Sequence, residues 1–504
     1  MINPPVSFSF PFRAAPTAVA ISVFLLVSGC AVTPQPLLQS ELEQITASDR
    51  LIGRQNQVAL NGAVSLEEAI ARALKYNLDH RTRLLEQSLA SGQLEAGRFD
   101  MLPKLLANAG YATRDSDNTR RSSDPLNPGA FSSDAPYISS ENDHATGDLG
   151  LSWSLLDFGA SYYSAKQNGD RLLIASEMRR KSMHALIQNV RTAYWRALAA
   201  QALGERVQEQ MKLAEGALSD AVKLSNARVR ALADTLRYRR NLLENLRLLE
   251  GLERELASAR IELASLIGAQ PGDRFELVEP QDSLPEALTL PVENMEALAL
   301  SRNADLRASF YNVRIAADDT RKALLRLMPG ISFDTALKYD SDKFLVNQKW
   351  QEAGVRVSFN LLNLLSGPSQ MRAAELGETV FESRRMALQM NVLTQVHLVR
   401  HQYDDALRQY LRAEAISEVD TGLAALADSA TQSQMASPME GISANVSALL
   451  SAARRYQSMA KLHEAASKVQ ATLGVEPEIG SLDDTDLPTL QQSIAKSLQG
   501  WAVQ

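Results

Sequence analysis

The sequence holds one cysteine, Cys30, so no disulfide can form within the chain. It has no basic surplus either: 52 Lys and Arg face 59 Asp and Glu, a net charge of −7, which argues against a nucleic-acid partner. Aromatic residues make up only 6% of the 504 positions, set among long stretches of alanine, leucine and interspersed charge. That composition is helix-rich, and for such a chain length says little about domain count. No Walker loop, dinucleotide fingerprint or nucleophile-elbow pattern occurs. An enzyme is therefore not expected, and any energy for transport has to come from partners. No proline lies between Pro136 and Pro271, which removes the commonest limit on helix length.

What is present centres on the stretch from Gly147 to Asn226. Leu149, Leu151, Trp153 and Leu155 alternate with Asp148, Gly150, Ser152 and Ser154, the period-two pattern of a strand with one apolar and one polar face. After Asp157-Phe158-Gly159 the period changes. Met183, Leu186, Val190, Ala193, Ala197, Ala200, Gly204, Val207, Met211, Ala214, Leu218 and Ala221 recur at steps of three and four, a heptad seam whose small residues admit a second backbone at close range. A helix from Ala160 to Asn226 would run about 100 Å.

The first 29 residues read as an export signal, with positive charge at Arg13, an apolar run from Ala14 to Leu26, and small residues at Val27-Ser28-Gly29. The string Leu26-Val27-Ser28-Gly29-Cys30 resembles a bacterial lipobox. That resemblance implies cleavage before Cys30, attachment of lipid to it and, with Ala31 rather than Asp following, sorting to the outer membrane. The other reading is an incidental cysteine in a plain signal peptide or anchor helix. It fits less well, because the apolar run falls short of the ~20 residues that span a bilayer.

Residues 31–62 carry no strong periodicity and are expected to form an extended or partly helical leader. Ser65 with Glu68 makes a capping box ahead of Leu66, Ala69, Ile70, Ala73 and Leu74, predicting a helix to Leu102 with a break near Asn77. Pro103 turns the chain into a strand at 105–113, and the Ser-, Asp-, Asn- and Pro-rich segment 114–145 reads as a long exposed loop. The strand at 147–155 and the long helix follow. Heptad order lapses from Ala227 to Ala231, and a second helix runs from Leu232 to Ile267-Gly268. Then the order repeats. Asn77-Leu78-Asp79 returns as Asn303-Ala304-Asp305, and Leu102-Pro103 as Met328-Pro329, both 226 positions on. Strands are predicted at 331–340 and 353–361, then a long helix after Gly367-Pro368 to about Gln434, a turn from Met435 to Met439, and a returning helix to Leu473-Gly474. Two short helices laid end to end would match one long helix, with the strands at one end and the helix turns at the other. Four strands are too few for a membrane barrel, which needs about eight. An apolar face in lipid therefore demands closure by several chains, of which three would supply twelve strands.

Several features together resemble the TolC-like outer-membrane factors over residues 60–475. They are the two-fold repeat, the Leu66-Glu67-Glu68-Ala69-Ile70 opening, Asn77 and Asn303, Pro103 and Pro329 ahead of strands, and Leu155-Leu156-Asp157-Phe158-Gly159. Cys30 adds a resemblance to the lipoprotein branch called NodT-like. The resemblance implies a mainly α fold with a small β part. Three copies would form a twelve-stranded barrel in the outer membrane, a helical tunnel through the periplasm and a mixed equatorial region. On this reading residues 1–29 are the signal peptide, 30–62 a lipid-anchored leader, 63–270 the first repeat, 271–293 an equatorial linker, 294–474 the second repeat, and 475–504 a C-terminal equatorial segment. The implied function is the passive exit duct of a tripartite efflux pump or type I secretion system. It would meet a periplasmic adaptor (a membrane fusion protein) and an inner-membrane transporter at the helical tip. That docking tip maps to Ala227, Arg228, Val229 and Arg230 in the first turn and to Ser437, Pro438 and Met439 in the second. Family members often carry a Gly-Leu or Gly-Val step there, and this sequence does not. The two arginines either complement an acidic partner or are simply solvated.

Asp234, Asp428 and Glu440 near the tips are candidates for threefold acidic rings that gate or select cations, or are solvated outer-face carboxylates. His397 and His401, four apart with Asp404 and Asp405 nearby, have a spacing open to a divalent metal. Without a second ligand cluster they read better as surface or interhelical histidines. No metal site is expected, and no cofactor beyond the lipid on Cys30. The alternative to a duct is a lipid-anchored periplasmic coiled-coil scaffold that never inserts its strands. The clean alternation in strands two to four favours the duct.

Overall fold

Ser65 caps the helix that opens the first repeat by accepting the Glu68 N–H at 3.2 Å. The Glu68 carboxylate, expected to reach back and complete a capping box, instead takes the Arg72 Nε at 2.8 Å. A complete box occurs at Ser437 and Glu440. The repeated asparagines turn out to be helix joints. Asn77 (φ −66°, ψ 123°) ends one helix and accepts the His80 N–H of the next at 3.1 Å. Asn303 (φ −58°, ψ 126°) does the same for the Leu306 N–H at 3.1 Å. A side-chain oxygen at this position lets the backbone bend while the next helix keeps a satisfied donor.

The computed structural model describes residues 35–55, 57, 58, 60, 62–121, 126, 127, 135–226, 232–270, 273, 275–280, 284, 285, 288–477, 479 and 485–498. The chain forms two units, Met1–Ala59 and Leu60–Gln504. The first contains α1 (Gln39–Gln55). The second runs, in order, β1 (Ala63–Val64), α2 (Leu66–Tyr76), α3 (Leu78–Phe99), β2 (Lys104–Thr113), β3 (Thr119–Arg120), β4 (Tyr137–Ile138), β5 (Asp143–Ser154), α4 (Leu155–Asn226) and α5 (Leu232–Leu266). It continues with β6 (Glu276–Leu277), α6 (Val292–Arg302), α7 (Ala304–Leu325), β7 (Gly330–Asp340), β8 (Lys349–Ser358), α8 (Asn363–Gln432), α9 (Pro438–Leu473) and α10 (Leu487–Leu498).

The two long helices have 72 and 70 residues, each about 105 Å of rise. Both begin earlier than the sequence suggested, at Leu155 and Asn363 rather than at Ala160 and after Gly367-Pro368. Ser154, the last residue of β5, accepts the Asp157 N–H at 3.2 Å and so starts α4 directly at the strand end. Pro368 lies in the second turn of α8, where it costs one helical hydrogen bond only. The glycines of these two motifs serve packing. A Cβ at Gly159 would come within 3.0 Å of Leu325, and one at Gly367 within 3.2 Å of Leu327.

Helix packing in the second unit is two-storeyed. Along one half of α4 lies α3 and along the other α5; α7 and α9 likewise share the length of α8, and both also pack on α4. Each storey therefore reads as four helices side by side, α3-α4-α7-α8 and α5-α4-α9-α8. The heptad seam of α4 lies in this interface, with Val190, Ala197, Val207 and Ala214 at most 1% exposed. Where the storeys meet, α2 packs on α4 and α10 on α2. There Tyr194 Oη of α4 lies 2.6 Å from the Val278 carbonyl and 2.9 Å from that of Val64, pinning the parallel β1–β6 pair.

Candidate functional site

The four long strands form one antiparallel sheet in the order β2-β5-β7-β8. Its register decides which residues share a face, because paired positions point the same way. Leu105 pairs with Leu151, Leu151 with Thr335, and Thr335 with Ala353. One step along, Trp153 faces Phe333 and Phe333 faces Val355, while Ala107, Leu149 and Leu337 form another row. Leu149, Leu151, Phe333, Leu337 and Val355 on this face are exposed, although they are among the most apolar residues of the sheet. The other face is polar and internally bonded. Asn108 donates to Asp148 at 2.9 Å, Ser152 to Asp334 at 2.6 Å, and Lys338 pairs with Glu352 at 2.6 Å. Apolar side chains thus meet the surroundings on one side and a charged ladder lines the other, the reverse of a soluble protein's sheet. Both edge strands, β2 and β8, are exposed along almost their whole length, and each leaves a row of backbone donors and acceptors open.

At the storey junction, charge is buried to lock the helices together. Arg180 of α4 bridges Glu177 and Glu476, and its Nη2 donates to the Arg302 carbonyl at 3.2 Å; Arg307 of α7 joins Glu177 at 2.8 Å. Three turns further along α4, Arg191 is buried and donates to Ser467 at 3.0 Å and Gln470 at 3.2 Å of α9, with His463 Nδ1 at 3.0 Å. Burial lowers its guanidinium to about 10. Trp195 stacks on His463 at 5.2 Å. The sequence does not show this clasp because the helices that meet in it bring together residues 122 to 296 positions apart.

At the far end, α8 turns into α9 through Gln434 (φ 57°). Ser437 accepts the Glu440 N–H at 3.3 Å while Glu440 accepts the Ser437 N–H at 3.0 Å, and Pro438 occupies the first turn, where its missing donor costs nothing. Met439 packs at the margin of the core. Of the candidate gate acids, Glu440 is therefore occupied as a cap, Asp428 accepts the Asn445 amide at 2.7 Å, and Asp234 is exposed with Arg237 at 3.7 Å. The structure brings Asp428 and Glu440 to one hairpin end and puts Asp234 in the first turn of α5. Ala227, Arg228, Val229, Arg230 and Cys30 lie outside the described residues. His397 pairs with Glu296 of α6 at 2.8 Å, and His401 is exposed one turn on. Among the described residues no cluster of three metal-ligating side chains occurs, and no helix is long and apolar enough to cross a membrane.

Comparison with known proteins follows the same lines. Residues 69–269 match the family model described as outer membrane efflux protein. No curated protein sequence matches. Among solved structures, the outer-membrane channel OprN is similar with a TM-score of 0.62 at 17% identity, covering 82% of this chain and 90% of that one. The CmeC outer membrane channel of Campylobacter jejuni gives 0.60 at 13% identity, covering 88% and 94%. The MtrE outer membrane channel of Neisseria gonorrhoeae gives 0.58 at 18%, covering 83% and 94%. Residues 69–269 thus carry an outer membrane efflux protein domain, and the fold through both repeats is the one these outer-membrane channels share.

Proposed function

We propose that three copies of this chain close into a passive export duct through the outer membrane and periplasm. The observation that carries the reading is the four-stranded sheet with an exposed apolar face, a charged opposite face and two open edges. Open edges cannot stay unpaired in hydrocarbon. In the order β2-β5-β7-β8 every neighbour is antiparallel, so β8 of one copy meets β2 of the next in antiparallel sense too. Closure by whole copies therefore keeps the pairing pattern unbroken. Two copies would give eight strands, whose interior side chains fill. Three leave a lumen, as the TolC-like resemblance implies.

The helices support the same closure. On α3, Leu78, Leu85, Leu89 and Phe99 are exposed, and so are Leu376, Val380, Met386 and Met390 on the half of α8 that packs with α7 in the same storey. Both helices are outermost in their storeys, so these seams suit a head-to-tail neighbour in a closed ring. The duct would be anchored through lipid on Cys30 and would meet a periplasmic adaptor and an inner-membrane transporter at the hairpin ends, around Arg228, Arg230 and Ser437–Met439. Asp234 and Asp428 remain candidates for the narrow end of the tunnel, whereas Glu440 is better read as a helix cap. His397 and His401 are better read as interhelical and surface residues. Purified protein from outer-membrane fractions should migrate as a heat-modifiable trimer and give single-channel conductance in planar bilayers. A carbonate-extractable monomer without conductance would refute the duct in favour of the periplasmic scaffold.

A further inference from the structure

Between α2, α4, α10 and the last turn of α9 lies a cavity of about 320 Å³, within the size range of small-molecule sites. Part of its wall is apolar, from Ile70 of α2, Ile187 of α4, and Ile494 and Leu498 of α10. Gln470, Ser493, Ser497 and His184 supply polar lining, with Lys496 and Glu476 the charged groups. The charges differ in availability. Glu476 is held by Arg180. His184 is buried, and desolvation lowers it to about 4, so its ring is neutral near pH 7; its Nε2 has no partner among the described residues. Lys496 is exposed, and among the described residues no carboxylate pairs with it. Among the described residues the lining therefore offers an apolar surface, neutral hydrogen-bonding groups and one cation, Lys496, without a carboxylate partner.

We propose that this cavity binds a small amphipathic carboxylate, with its apolar body against Val475, Pro477 and Leu498 and its carboxylate at Lys496. An inorganic anion would leave the half-exposed apolar lining of Val475, Pro477 and Leu498 in water, and a hydrocarbon would cover the half-exposed hydroxyls of Ser493 and Ser497 without replacing their hydrogen bonds to water. The site has a structural consequence. Among the described residues, polar contacts tie α10 and the segment before it to the body of the unit, Gln491 to Ser65 at 3.3 Å and Lys75 to the Thr485 carbonyl at 2.6 Å among them. A ligand touching α2, α4, α9 and α10 together adds to that attachment and stabilises the folded form by mass action.

The test is calorimetric titration of the purified full-length protein in mild detergent with phenylbutyrate, and with phenylbutanol as its uncharged counterpart. The expected result is saturable binding of phenylbutyrate, weakened about tenfold or more by Lys496→Glu and abolished by Ser493→Trp, which fills the cavity. Phenylbutanol is expected to bind about tenfold more weakly than the carboxylate. Lys496 is exposed, so its substitution decides the question even where the tryptophan disturbs assembly. Absence of saturable phenylbutyrate binding, unchanged affinity in Lys496→Glu, or equal affinity for the alcohol overturns the proposal. Conductance plays no part in the readout, so the outcome is independent of the duct.

Discussion

Leu149→Arg places a charge at the middle of the apolar row of β5, where Leu149 is 44% exposed and stands between Ala107 and Leu337. On the lipid face of a barrel at mid-membrane depth, an arginine costs about 2–4 kcal/mol. A closed trimer carries the substitution three times, so the assembled barrel loses about 6–12 kcal/mol, of the same order as the whole stability of a folded domain, about 5–15 kcal/mol. Thr146→Arg is the control. It lies three residues away on the same strand but on the charged face, opposite Asp340, and a cation in a wet lumen beside a carboxylate shifts stability by about 1 kcal/mol or less. Heat-modifiable trimer in outer-membrane fractions should vanish for Leu149→Arg and persist for Thr146→Arg, and urea titration in vesicles should separate the two by the same margin. Equal assembly of the two variants refutes the reasoning, because it puts the leucine row outside the hydrocarbon and removes the main support for a pore.

Gly474→Ala should lower the thermal midpoint sharply. Gly474 has φ +66°, and a Cβ there would sit 2.3 Å from the Arg302 carbonyl oxygen, so a loss of about 2 kcal/mol or more is expected from left-handed strain plus the clash. His184 is lowered from 6.5 to about 4 by burial. Between those values the unfolded chain binds the extra proton, so this histidine's contribution is complete above about pH 6.5 and is lost as pH falls towards 4. His184→Gln should therefore flatten the acid limb of a stability-against-pH curve by up to about 3 kcal/mol, and an unchanged acid limb would count against the buried, neutral ring. Leu85→Asp with Leu89→Asp, both on the exposed seam of α3, should abolish the trimer in native mass spectrometry while circular dichroism keeps its helical signal. Cys30→Ser should remove metabolic palmitate labelling and release the protein from membranes when the barrel is also disabled by Leu149→Arg.

The alternation of β5 and β7 and the heptad seam of α4 were legible because each is a local period imposed by one buried or lipid-facing side. Asn77 and Asn303 were legible only as a repeat; their capping role needed backbone angles. The helix starts at Leu155 and Asn363 were missed for a physical reason. Gly159 and Pro368 carry the usual signs of a boundary, yet the glycine gives room to Leu325 and the proline falls where one lost hydrogen bond is tolerable. The clasp of Arg180, Glu177, Arg307 and Glu476 lay beyond reach for another reason, since charged residues beside a seam look solvated until the distant chain that meets them is in place.

The seams of α3 and α8 mark where the sequence and the single chain divide the labour. Leu78, Leu85, Leu89 and Phe99 repeat with the same spacing as the residues of α4, so periodicity cannot say whether their partner is another helix of the chain or another copy. The fold can, because it buries one set and leaves the other bare. On α4 both flanks are taken, by α3 and α5 on one side and by α7 and α9 on the other. On α3 and α8 the outer flank stays exposed, and these are the helices that run into β2 and out of β8, the two edge strands. An exposed heptad in a single helix is weak evidence of assembly. Apolar seams on both outer helices of one storey, each joined in sequence to an open edge strand of one sheet, are what the proposed closure by further copies of the chain would cover together.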